Sequence, residues 1–135
     1  MDYGFSKTFI KGLNDISELT DRIQTIAQFF PNEVKYPALM VFTDKVEEVN
    51  TTVPGQERAK ISFILKIISS YNGLQELYAI TELLDQNFNG KSMESDEGYQ
   101  FHVRLSCPTF EGMQKTKTCD YRSAIINGIG YAERV

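Results

Sequence analysis

The chain has 135 residues, a net charge of −4 and a pI near 5.0. That balance excludes a protein whose main task is gripping nucleic acid, which rests on a surplus of Lys and Arg. Hydrophobic residues at 41% and charged residues at 24% give an ordinary globular composition, and the length suits a single domain, 1–135, around one core. No apolar run approaches the roughly 18 residues of a membrane helix, so no membrane partner is expected. No basic-then-apolar segment opens the sequence, so the two cysteines are expected as buried free thiols of a chain made in the cytoplasm.

Phe5, Phe9 and Leu13 stand four apart with Ile10 beside them, which predicts an amphipathic helix over 5–14. Arg22–Phe30 reads as a strand on its β-branched residues and is stopped by Pro31. After the Tyr36-Pro37 step, Ala38–Phe42 is a continuous apolar run fit for a strand buried on both faces. From Thr43 to Gln56 the pattern is lost, and only Val46, Val49 and Val53 are apolar. A long projecting loop is expected there, with a long hairpin as the other possibility.

Ala59, Ile61, Phe63, Leu65 and Ile67 then recur at period two, the signature of a long strand with one apolar face. The period changes at Leu74, Leu77, Tyr78, Leu84 and Phe88, which predicts a helix over 74–88. Asn72 and Gln75 suit a capping box, and Asn89-Gly90 supplies the stop. An acidic turn, 93–98, precedes the alternating strand Tyr99, Phe101, Val103, Leu105. Lys115–Arg122 is strand-like but polar, as an exposed edge would be, and Ser123–Tyr131 has the apolar weight to rejoin the sheet. The order α-β-β-β-α-β-β predicts an α+β fold: a mostly antiparallel sheet of four to five strands with two helices packed on one face.

Motifs that could carry chemistry dissolve on inspection. Gly90-Lys91-Ser92 resembles the end of a phosphate loop, but Asp85 occupies the position of its first glycine and a helix, not a strand, precedes it. Gly128-x-Gly130 has no helix after it, which excludes a dinucleotide fingerprint. His102 is the only histidine and lies on the polar side of its strand, with no ligand cluster. A hairpin centred on Met113 would bring Cys107 opposite Cys119, but two thiols without a second pair do not make a zinc site. Glu94, Asp96 and Glu97 lack the spacing of a calcium loop. The expectation is no enzyme, no cofactor and no metal.

Taken together, the N-terminal helix, the Tyr36-Pro37 step into Ala38–Phe42, the long loop, the strand Ile61–Ile67, the helix Leu74–Phe88 and two closing strands resemble the tail-completion, or tail-terminator, proteins of long-tailed bacteriophages and prophages. That resemblance implies a structural virion protein at the head-proximal end of the tail. Such a protein caps the tail tube as a hexameric ring, ends tail polymerisation and forms the head–tail joining surface. Its implied partners are further copies of itself, the tail-tube protein and a head-completion or connector protein, without specific nucleic-acid binding. On that reading Lys45, Val46, Glu47, Glu48, Val49 and Asn50 of the loop, with Lys115 and Lys117 of the polar strand, are the expected subunit or tail-tube contacts. The alternative is a stand-alone α+β module that holds a ligand or peptide on its sheet through Tyr99, Phe101, Tyr121 and Tyr131.

Overall fold

The structure is a computed structural model that describes residues 3–28, 34–49, 58–70, 74–115 and 120–134. Its hub is β3 (Arg58–Ser69), whose period-two pattern does what the sequence implies. Ala59, Ile61, Phe63, Leu65 and Ile67 are all 2% exposed or less, while Lys60, Ser62, Ile64 and Lys66 stay half-buried on the opposite face. β3 runs antiparallel between β2 (Ala38–Val49) and β7 (Asp120–Arg134). The full order is β1 (Thr25–Ala27), β2, β3, β7, β5 (Tyr99–Leu105), β4 (Ser92–Glu94). β6 (Thr109–Lys115) also pairs with β7. β5 takes the half of β7 from Gly128 to Arg134 and β6 the half from Asp120 to Ile125, so the two lie end to end along one side of it. Only β1 and β2 pair in parallel.

Helices α1 (Phe5–Asn14), α2 (Ser17–Thr20) and α3 (Gln75–Phe88) bury their apolar sides in the core on one face of this sheet. The core is aromatic at its centre. Ring centroids of Phe5 and Phe9 lie 4.7 and 5.4 Å from that of Phe63, and Phe9 meets Phe88 at 4.7 Å. Such pairs add about 0.5–1.5 kcal/mol each to the burial of the rings themselves. Space for them comes from β7, where Gly128, Gly130 and Ala132 follow the bulkier Ile126 on the inward face. A Cβ on Gly128 would stand 2.3 Å from Phe63 Cζ, and one on Gly130 would stand 2.8 Å from Phe5 Cε2. Gly128-x-Gly130 is therefore a seat for two aromatic rings.

Several expectations are corrected. Among the described residues the sheet has seven strands, not four to five, and there are three helices, not two. The extra elements β1, β4 and α2 are three or four residues long, too short to impose a period on the sequence. The strand expected over Arg22–Phe30 shrinks to Thr25–Ala27, because the backbone turn after α2 reaches Ile23 through Ile23 N–H donating to Leu19 O; Phe29 and Phe30 lie outside the described residues. The loop expected from Thr43 is strand as far as Val49, so that part follows the hairpin alternative, and residues 50–57 lie outside the described residues. The cause is a β-bulge between Thr43 and Lys45, where Asp44 is the extra residue. It shifts the phase, so that Leu39, Val41 and Thr43 align with Val46 and Glu48 on the inward face.

Helix α3 begins at Gln75 without a side-chain cap, and Asn72 lies outside the described residues. The stop is as expected, with Asn89 as C-cap and Gly90 at φ 74°. Lys115–Arg122 is not one strand: β6 ends within it and β7 begins there. The β6–β7 register, Thr109 with Ile125 and Lys115 with Asp120, puts the turn after Met113. Cys119 lies outside the described residues, and Cys107 is exposed rather than buried.

Candidate functional site

With the helices on one side, the outward face of the sheet carries a distinct chemistry. Register places Lys60 beside Tyr131 and Tyr131 beside His102, and places Ser62 beside Ile129 and Ile129 beside Arg104. Arg58, Lys60, Lys66 and Arg104 share this face with Lys45, against Asp44, Glu47, Glu94, Glu111 and Glu133. Over the whole face the charges balance, but Lys60, Lys66 and Arg104 lie around Ile64 and Ile129. Arg58 Nε lies 4.0 Å from Glu133 Oε2, and Lys45 Nζ lies 3.3 Å from Glu47 Oε1. Both pairs are solvent-exposed and contribute about 0–1 kcal/mol. Among the described residues no carboxylate pairs with Lys60, Lys66 or Arg104. Between the charges lie Ile64 and Ile129, half-buried, and Tyr131, which is 44% exposed. A shallow depression of about 360 Å³ runs over Ile64 and Ile129 from Asp44 to Arg104.

The helix side has the opposite character. α3 carries Glu76, Glu82 and Asp85 and no cation. Its flank forms a groove of about 390 Å³ with the β5–β6 corner. Leu105, Phe110 and Ile126 line the floor, Glu82 and Asp85 stand on the helix wall, and Cys107 lies at the corner. Among the described residues no lysine or arginine lines this groove. Tyr78, 51% exposed, meets Phe110 edge-on at 4.8 Å between ring centroids. Asn89 Nδ2 donates to Asp85 Oδ1 at 2.8 Å, and Leu105 N–H donates to Asn89 Oδ1 at 2.9 Å, which ties the helix end to β5. Tyr78 and Tyr131 are the large hydrophobic side chains exposed among the described residues, and they lie on opposite sides of the sheet.

The expected contact residues fall in several places. Lys45 and Glu47 point to the outward face and are exposed. Val46 points inward and packs against the core, and Glu48, on the same side, accepts a hydrogen bond from Tyr3 Oη at 2.9 Å. Val49 pairs with Arg58 at the end of β2, Lys115 pairs with Asp120 at the end of β6, and Asn50 and Lys117 lie outside the described residues. Of the residues whose side chains are described, Lys45 and Glu47 thus lie on one face of the sheet and Val46 and Glu48 on the other. His102 is held between neighbours, with Nδ1 2.8 Å from Ser92 Oγ and Nε2 3.7 Å from Glu133 Oε1. Among the described residues no group of His, Cys, Asp and Glu is placed to hold a metal ion.

Sequence reasoning missed the two opposed surfaces. The alternation of β3 already puts Lys60 and Lys66 on one side. Adding Arg104 and Tyr131 to them needs the pairing of β3 with β7 and β5, which no local pattern encodes.

No protein-family model and no curated protein matches the chain. Among solved structures, a chain from the virion of a native gene transfer agent (GTA) particle superposes with a TM-score of 0.70 over 95% of this chain and 93% of its own length, at 11% identity. A second solved chain superposes with a TM-score of 0.52 over 98% and 92%, at 14% identity. At such identities the likeness is one of fold, and the fold is that of a chain from a gene transfer agent virion.

Proposed function

We propose that this chain is a structural protein of a phage-like virion that caps the tail tube as a ring, ends tail polymerisation and forms the surface to which the head is joined. The observation that carries this reading is the likeness, nearly end to end, to a chain from a gene transfer agent virion. The order of elements seen in the sequence supports the narrower assignment to the tail end. So does the presence of two contrasting surfaces on opposite sides of one sheet, since ring subunits need two different faces to meet their neighbours. The partners on this reading are further copies of the chain, the tail-tube protein and a head-completion or connector protein.

The test is assembly of particles without the chain. Tails of uncontrolled length that carry no heads are expected, with both defects corrected when the purified chain is added back. Tails of normal length joined to heads would overturn the reading. The groove beside Tyr78 favours a second reading, a stand-alone module that binds a peptide or small ligand. A chain that stays monomeric and never enters particles would decide for it.

A further inference from the structure

The geometry points to the contact that closes the ring: the cationic patch of Lys60, Lys66 and Arg104 on the outward face of the sheet in one copy seats on the acidic α3 groove of the next. This rests on the ring reading above and specifies which surfaces meet. A ring requires a heterologous contact, in which two different patches of the same chain fit each other. The two patches here are complementary in charge. One offers Lys60, Lys66 and Arg104 around Ile64 and Ile129, with Tyr131 standing out. The other offers Glu82 and Asp85 beside a groove floored by Leu105 and Phe110, with Tyr78 standing out. The faces lie on opposite sides of the sheet, so one copy cannot join its own, and seating one copy leaves the same pair open for the next. Each patch sets an exposed tyrosine close to charges and to apolar side chains, and charges so placed serve register and partner choice.

Charge reversal tests the pairing. E82K/D85K on α3, or K60E/K66E on the sheet, sets like charges against each other in every contact and should weaken self-association by roughly a hundredfold or more in sedimentation velocity. Thermal unfolding checks that each variant is folded. The four changes combined in one chain restore opposite charges and should restore assembly. Rings that persist in both reversed variants, or that fail to return in the combined variant, overturn the pairing of faces and leave the ring reading standing. Reversal of the sheet face that spares rings but stops attachment to tubes gives that face to the tube protein and also overturns it. A wild-type chain that remains monomeric and is absent from particle tails overturns the ring reading itself.

A cross-link keeps the test open should a reversed variant unfold. Cys107 sits at the groove, so a thiol placed on the facing sheet by K60C in a C119S background should join to it through a short bis-maleimide. Head-to-tail contacts give a ladder of products beyond the dimer. Dimers alone, or no products, overturn the proposal.

Discussion

The two faces of β3 are made by alternate residues of one strand, yet they obey different rules. Its inward residues are closed off from water and meet rings from α1, while its outward residues from Lys60 to Lys66 mix lysine, serine and isoleucine and stay half-exposed. Burial alone separates a face that fixes the fold from a face available to a partner. The inward face tolerates no change of volume, because Phe63 already lies against the bare backbone of Gly128. The outward face has no second layer at Ile64 and Ile129, and charge is admitted there because water still reaches it.

The largest effect that separates the faces is expected at Phe63. Phe63→Ala removes the ring that Phe5 and Phe9 pack on and should cost about 3–5 kcal/mol in a denaturant titration. A loss below about 1 kcal/mol would show that the inward face is not the packed one. Gly128→Ala probes the same contact from the other strand. Its new methyl group would overlap the Phe63 ring, and overpacking of this kind costs about 1–3 kcal/mol. The double variant Phe63→Ala with Gly128→Ala should lose less than the sum of the two, because removing the ring makes room for the methyl group.

The same contrast explains how much of the fold was legible. α1 and β3 were read from their periods because each keeps a single phase from end to end, and the observed α1 spans the expected residues 5–14. β2 was half-read because it changes phase at Asp44. Before the bulge its inward residues are apolar; after it they are Val46 and Glu48, and an alternation that slips by one residue looks like no alternation at all. The glycines of β7 were legible as a pair but not as a seat, since the rings they accept arrive from β3 and α1, far away in the chain. The opposed charged surfaces share this difficulty: every contributing residue is visible, but the sum depends on strand register.

Val46 and Lys45 carry the comparison to the edge of the sheet. Val46→Asp would place a charge against the core and should cost about 1–3 kcal/mol, whereas Lys45→Asp, on the exposed side, should change stability by about 0.5 kcal/mol or less. Equal effects at the two positions would mean that the phase does not shift at Asp44.

The smallest effect on stability is expected at Lys66, and there the comparison becomes sharpest. Lys66 lies between Met40 and Ile125 on the outward face, half-buried along its stem, and no carboxylate among the described residues pairs with it. Lys66→Ala removes no ion pair and opens no closed cavity, so the midpoint of unfolding should shift by about 0.5 kcal/mol or less. On the proposed ring contact, this cation faces the acidic groove of the neighbouring copy. Lys66→Ala should therefore weaken assembly while leaving the folded chain intact, and stability and sedimentation measured on the same sample separate the two effects. A variant that unfolds as readily as Phe63→Ala would place Lys66 in the packed face, and the division between the faces of β3 would not hold.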